Sequence, residues 1–498
     1  MREHGDWLHP WLLGEHAYYK PPFQLWATLI GWKIFGFGLI GAFLPSILAV
    51  LLTAACIGWI SKRVHSLSSE QVTAPLWFAA AAGTLTYGTT AQMEIWIVAL
   101  YSLAWVAALQ NLITGKRRWL FAALIAAGVL SIVKSPLYSV LWVWGYWLYL
   151  GLTSQKNKFT QPSFWLAHLV GALVGAAWFI YALITDRQKF ISDYFVRETL
   201  AKTGGNSSTA LHMWGDFSTF CVPFLLPAIV VAILSLNKRH RSLRPFIIAF
   251  AALPTIFFTF FPYRTETYLY ILIPLVAILM DLRLGLQNSK LRSVLYGVRL
   301  NGLLMLVAGT LFAVFAVSSG MIAGWTGGIL TALACAFAFV SFSRRSREWK
   351  TLAFAALAIT CVVRLGAIEL GEQDIRDLRV FQAEHPDRPL VFLDPGGYIW
   401  HEVGLLSVAV GQPGIRARST KEFSDAVKNG ALGVLSDGDW PANLPLIRQE
   451  LLNQGFALDE ASWWRWKRSI QIPTFSNLRK LKQNRREYKL VMLKPAVR

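Results

Sequence analysis

Residues 93–133 run MEIWIVALYSLAWVAALQNLITGKRRWLFAALIAAGVLSIV. Two apolar stretches, 93–113 and 119–133, flank the basic turn Gly115-Lys116-Arg117-Arg118, and neither carries a charge after Glu94. In hydrocarbon every backbone N–H and C=O must be satisfied within its own segment, which leaves the helix as the form for such a stretch. About 20 apolar residues cross a bilayer. The pattern is therefore a helical hairpin through a membrane, with its basic turn held in water.

The pattern repeats. Apolar runs at 39–61, 72–90, 93–113, 119–133, 136–152, 164–185, 217–236, 245–262, 267–284, 300–318, 320–342 and 351–370 give about twelve spans by hydropathy. A single kinked helix through Lys134-Ser135-Pro136 would merge two of them and reverse everything that follows. With twelve spans, six basic clusters fall on one face: Lys62-Arg63, Lys116 to Arg118, Lys156 with Lys158, Lys238 to Arg244, Lys290 with Arg292, and Arg344 to Lys350. Positive loops stay in the cytoplasm. The opposite, outer face then holds residues 1–38, the loop 186–216, the turn 263–266 and everything after 371. The segment 22–38, with Trp26, Trp32 and Lys33, suits a helix lying in the outer interface.

Composition agrees. Hydrophobic residues make up 55% of the 498 and charged residues 15%, against about a quarter charged in soluble domains; the mean hydropathy is +0.43. The net charge of +20 sits mostly in short loop clusters, which argues against a nucleic-acid partner. Cys56, Cys221, Cys335 and Cys361 all lie in apolar runs and read as packing residues rather than a disulfide framework. Met1 to Lys20 contains no apolar signal-peptide core.

Near 371 the long apolar runs stop. Leu390 to Asp394 followed by Pro395-Gly396-Gly397, Leu432 to Leu435 and Lys489 to Leu493 read as strands, and Ser419 to Lys428 as a helix opened by a Ser419/Glu422 capping box. Trp463 to Arg468 and the basic stretch 479–489 suit either anionic headgroups or a solvated surface. The expected organisation is an outer loop with an interfacial helix (1–38), a transmembrane helical domain (39–370) and a small extracytoplasmic α/β domain (371–498).

Ionisable residues at membrane depth mark functional candidates. Glu94 stands at the outer end of two spans, where it reads either as a partly dry carboxylate or as a helix-start acid facing water. Lys134 breaks the orientation rule on the outer side, and reads as a phosphate-holding charge or a snorkelling lysine. Lys20, Arg197 and Arg264 add basic groups to the same face, and a phosphate ligand there would account for the excess.

The block Gly5-Asp6-Trp7-Leu8-His9-Pro10, Tyr19-Lys20-Pro21-Pro22, Phe35-Gly36 and Leu44-Pro45-Ser46 resembles the first outer loop and second span of the polyprenyl-phosphate-dependent GT-C glycosyltransferases. That family includes the protein mannosyltransferase-like enzymes and the aminoarabinose transferase that modifies lipid A. Lys134-Ser135-Pro136 resembles the family's Lys-Gly-Pro segment, and Glu94 falls where the family commonly has an Asp. The resemblance covers 1–150 well, weakens to about 285, and is architectural beyond.

The resemblance implies a GT-C-like bundle in a bacterial inner membrane that moves a sugar from a polyprenyl-phosphate donor, with inversion, to a lipid or protein acceptor at the outer face. Glu94 would be the catalytic carboxylate. Lys20, Lys134 and Arg264 would hold the lipid phosphate, and Tyr19, Glu198 and Tyr268 would line the sugar or acceptor site. A divalent cation assists in the family, although no metal ligand set in the sequence demands one. Two departures stand out. The family's first span and the Asp-Glu motif after it would fall upstream of Met1; either the start is assigned too late or the chain is a truncated paralogue, inactive as written. Phe43 also stands where an Arg is common. The competing reading is a transporter or lipid flippase without transferase activity; such proteins show paired repeats and helices broken at the midplane, whereas polar residues here gather at the ends of spans.

Overall fold

The structure is a computed structural model. It describes residues 1–361 apart from 2–4, 13–14, 66–67, 69–70, 201–208, 223, 236–243, 262–263, 266, 282–287, 319–323, 343–352, 354 and 359–360, and beyond 361 chiefly 388–393, 414–436, 458–466 and 485–493. A short hairpin, β1 (Trp11–Leu12) and β2 (Glu15–His16), leads into α1 (Phe23–Phe35). There follow α2 (Leu39–His65), α3 (Ala74–Ala80), α4 (Ala82–Gly88), α5 (Met93–Thr114), α6 (Arg117–Val133), α7 (Pro136–Leu152) and α8 (Pro162–Thr185). Three helices among the described residues are long and apolar enough to cross a membrane: 40–64, 93–114 and 162–185. α6 and α7, 17 residues each, and the apolar stretches 244–260 and 268–280 are shorter. Ile47, Leu48 and Leu51 of α2, and Leu166, Leu169 and Leu173 of α8, are exposed; such a face is stable only against lipid. The chain is a multi-pass membrane protein.

The Lys134-Ser135-Pro136 segment separates two helices rather than kinking one. Ser135 takes an extended conformation and its Oγ accepts from Leu137 N, which caps α7 with Pro136 at its first position. Gly115, at φ +68°, ends α5 in the left-handed conformation that glycine adopts without strain.

Small residues set a close crossing of α6 with α8. A Cβ on Gly128 would lie 2.1 Å from Gly171 O, and one on Gly171 would lie 2.4 Å from Leu124 O. Gly171 and Gly175 form a small-xxx-small stripe that lets the backbones touch. Gly128→Ala is expected to separate α6 from α8 and to cost about 1–3 kcal/mol, the usual range for overpacking. Thermal unfolding of the detergent-purified protein would show this as a lowered midpoint.

Among the described residues, two of the expected spans are interrupted. The run 72–90 forms α3 and α4, with Ala81 extended between them. The run 217–236 forms Ala210–Phe220 and Leu225–Ser235. The two interruptions meet, since Ala82 N donates to Val222 O at 2.9 Å. Each break thus supplies the other's unsatisfied backbone group, as non-helical backbone at membrane depth must. Gly83 lies so close to Phe220 that a Cβ there would meet its Cβ at 2.8 Å.

The segment 186–216, expected as a loop, is helical where described. Arg187–Phe190 continues as a π-helical stretch, Ile191–Leu200. Phe190 and Tyr194, four residues apart, stack at 5.5 Å, and with Tyr18, Ile132 and Trp178 they form a satellite core. This local aromatic pairing is what turns a polar segment into a helix.

Asp281 ties three elements together. It is buried and accepts from Ser61 Oγ (2.6 Å), Thr73 Oγ1 (2.6 Å), Thr73 N (3.1 Å) and Ala74 N (3.1 Å). It thereby caps α3 and fastens it to the end of α2.

Late in the chain a five-stranded sheet has the order β4-β3-β5-β7-β6. Its strands are β3 (Leu390–Leu393), β4 (Gly414–Ala417), β5 (Leu432–Ser436), β6 (Leu458–Trp466) and β7 (Arg485–Leu493). β3 pairs in parallel with β4 and β5, while β7 pairs antiparallel with β5 and β6. The helix Thr420–Lys428 is capped by Ser419 Oγ on Glu422 N, and the Glu422 carboxylate reaches back to Arg418 N rather than to Ser419. The expected Pro395-Gly396-Gly397 turn and the composition change at 371 lie outside the described residues.

Candidate active site

Glu94 and Lys134, forty residues apart in sequence, are partners. Glu94 sits in the first turn of α5, where the helix dipole favours an acid, and Lys134 is the C-cap of α6, where it favours a cation. Lys134 Nζ donates to Glu94 Oε1 at 2.9 Å and to Thr267 Oγ1 at 3.2 Å. Both side chains are nearly buried, 12% and 10% exposed, so Glu94 is not a helix-start acid facing water. The ammonium also stands 5.8 Å from the ring of Tyr138 and 5.7 Å from that of Tyr268, a cation–π arrangement. Thr265 and Thr267 are hydrogen-bonded to each other at 3.2 Å. Behind them Tyr270 packs on Tyr87, ring centroids 4.6 Å apart.

Arg264 belongs to the same turn. Its Nε donates to Thr259 O at 2.9 Å, so it closes the end of Leu253–Phe260. Glu266 is outside the described residues.

The remaining candidates form a second cluster on the π-helical stretch. Lys20 is ion-paired with Glu198, and Arg197 donates to the Tyr19 hydroxyl at 3.0 Å. Asp193, fully buried, accepts from Tyr18 N at 3.3 Å and pairs with Lys189 at 3.2 Å. The two clusters adjoin, because Ile132, near the end of α6, packs in the core of Tyr18, Phe190 and Tyr194. The lysines expected as isolated phosphate holders are thus each paired with a carboxylate. Sequence reasoning missed Thr267 and Tyr138 as partners of Lys134. Tyr138, four residues beyond Lys134 in sequence, was the signal available.

A third polar group was also missed. Asp6, His9 and His16 place ligand-type atoms within 4.8 Å of one another. Burial alone would raise the Asp6 carboxyl, but hydrogen bonds from Trp11, His9 and Leu8 N outweigh it and hold the carboxyl well below the usual carboxylate range.

Residues 19–182 match the model of the dolichyl-phosphate-mannose-protein mannosyltransferase family. An uncharacterized protein of Aquifex aeolicus (strain VF5) is 22% identical over 49% of this chain and 48% of its own length. The undecaprenyl phosphate-alpha-4-amino-4-deoxy-L-arabinose arabinosyl transferase of Edwardsiella ictaluri (strain 93-146) is 23% identical over 34% of this chain and 37% of its own. The chain therefore matches less than half the length of either curated relative. The crystal structure of ArnT from Cupriavidus metallidurans bound to undecaprenyl phosphate superposes with a TM-score of 0.75 at 17% identity, covering 89% of this chain and 87% of that one. The apo form of the same protein gives 0.71 at 16% identity. This chain therefore shares the fold of the ArnT structures over most of its length, and its residues 19–182 are similar to the mannosyltransferase family.

Proposed function

We propose that the chain transfers a sugar from a polyprenyl-phosphate donor to a lipid or protein acceptor at the outer face of a bacterial inner membrane. The observation that carries this reading is the Glu94–Lys134 pair, nearly buried and ringed by Thr267, Tyr138 and Tyr268. A fixed cation in a low-dielectric site stabilises a departing phosphate. Without substrate, Lys134 is neutralised by Glu94. The donor's phosphate competes for that ammonium, and its arrival leaves the Glu94 carboxylate able to accept the acceptor's proton.

The step then balances. The acceptor oxygen bonds the anomeric carbon, the bond from that carbon to the phosphate oxygen breaks, the acceptor proton moves to Glu94, and polyprenyl phosphate leaves beside Lys134. Lys20 and Arg264 extend the cationic rim. Tyr19, Glu198 and Tyr268 face the sugar or acceptor. The β3–β7 sheet is read as an extracytoplasmic domain spanning 371–498.

The test is to incubate membranes containing the chain with labelled polyprenyl-phosphate pentoses and hexoses, and to follow both released polyprenyl phosphate and labelled acceptor. Transfer from one donor class, lost in Lys134→Met, is the expected result. Movement of intact donor across vesicles with no transfer would favour the transporter or flippase reading.

A further inference from the structure

The group at Asp6, His9 and His16 is outside the proposed transfer site, and it is arranged as a metal site rather than as a chance cluster. Its far side is the decisive feature. Adjacent residues at the end of α8 hold the outer nitrogens of both histidines: Thr185 Oγ1 lies 3.1 Å from His9 Nε2, and Asp186 Oδ2 lies 2.7 Å from His16 Nδ1.

These contacts assign the protons. The Thr185 hydroxyl donates to Tyr181 O at 2.9 Å, so it accepts from His9 Nε2. The Asp186 carboxylate accepts from His16 Nδ1, which leaves His16 Nε2 with its lone pair. His9 Nδ1 and Asp6 Oδ2 face each other at 2.7 Å. His16 is therefore held from behind with Nε2 open to a ligand role, and His9 is held from behind through Nε2 while its Nδ1 shares a proton with Asp6, the outer-shell contacts found around histidine ligands.

The rings stack in parallel, centroids 4.8 Å apart and 7° from coplanar. Tyr18 packs edge-on under both, at 6.4 Å and 6.0 Å. Its hydroxyl is buried and makes no hydrogen bond among the described residues. The three ligand side chains are partly exposed, 17% to 28% for the histidines and 27% for Asp6, so an ion can reach them.

We propose that Asp6, His9 and His16 bind one divalent transition-metal ion of the zinc type. The ion enters between His9 Nδ1 and Asp6 Oδ2, displaces the proton they share into solvent, takes His16 Nε2 as third ligand and completes its shell with water. Two imidazoles and a carboxylate are a zinc-type set and disfavour magnesium or calcium. Bonds of about 2.0–2.2 Å place tetrahedral ligands about 3.3–3.6 Å apart, so His9 Nδ1 and Asp6 Oδ2 open from 2.7 Å to admit the ion while partly exposed His16 closes on it. The bound ion would fasten the β1–β2 hairpin to the end of α8. This proposal does not depend on the transferase reading.

The experiment uses the full chain, purified in detergent with a histidine-free affinity tag, stripped with chelator and titrated with zinc alone. The expected result is one zinc per chain by elemental analysis, with submicromolar affinity. Asp186→Asn, which alters no ligand, is expected to weaken binding about 10–100-fold, and His16→Gln to abolish it. Parental zinc affinity in both variants, or no stoichiometric zinc in the parent, overturns the proposal. If His16→Gln does not yield folded protein, Asp186→Asn alone decides.

Discussion

In Glu94→Gln, the proposed sugar transfer falls by about 10²–10⁴-fold, the range attributed to a positioned general base, while polyprenyl phosphate binds at least as tightly as to the parent protein. The two halves of this result have one cause. Glu94 occupies Lys134 at 2.9 Å, so in the proposed mechanism it competes with phosphate for the ammonium and is also the group that accepts the proton. Gln removes the competition and the base together. It also removes one partner of a nearly buried ion pair, a change that costs about 3–5 kcal/mol when the remaining charge has no substitute partner. The Gln amide oxygen and Thr267 Oγ1 still accept from Lys134, so the expected loss is at the low end. Glu94→Gln/Lys134→Met should recover stability without recovering transfer. Thermal unfolding and labelled-sugar transfer, measured on the same preparations, separate the two effects.

Asp281→Ala is expected to be the most destabilising single change, about 3–5 kcal/mol, the cost of emptying one side of a buried charged network. Thr73 N, Ala74 N, Thr73 Oγ1 and Ser61 Oγ would all lose their acceptor. Asp281→Asn keeps one acceptor oxygen and should lose less. Thermal unfolding of the purified protein would check the order parent, then Asn, then Ala. A midpoint in Asp281→Ala equal to the parent's would show that α3 is held by packing alone.

Local signals were legible where lipid forces the pattern. The runs read as 93–113, 119–133, 136–152 and 164–185 appear as 93–114, 117–133, 136–152 and 162–185, because caps at Gly115, Ser135 and Pro162 mark their ends. The break at Ala81 was not legible. Gly83 lies two residues beyond it, but the break itself rests on a long-range contact, Ala82 N to Val222 O. The same reason hid the pairing at the site. Glu94 and Lys134 were each readable as costly charges, but only the packing of α5 on α6 brings them to 2.9 Å. The helix at 187–200 was hidden by its polarity, since Phe190 and Tyr194 form an apolar stripe only once Tyr18 and Trp178 are there to cover it. The Asp6, His9 and His16 group was visible as residues but not as a cluster, because Thr185 and Asp186 complete it from the far end of α8.

Glu94 and Lys134 form one phosphate-exchanging unit in the proposed mechanism, and equilibrium binding of polyprenyl phosphate to the purified full chain tests that most directly. Lys134→Met should bind at least tenfold more weakly than the parent, and Glu94→Gln equally or more tightly. Equal affinity in Lys134→Met and the parent, or weaker binding in folded Glu94→Gln, would contradict it.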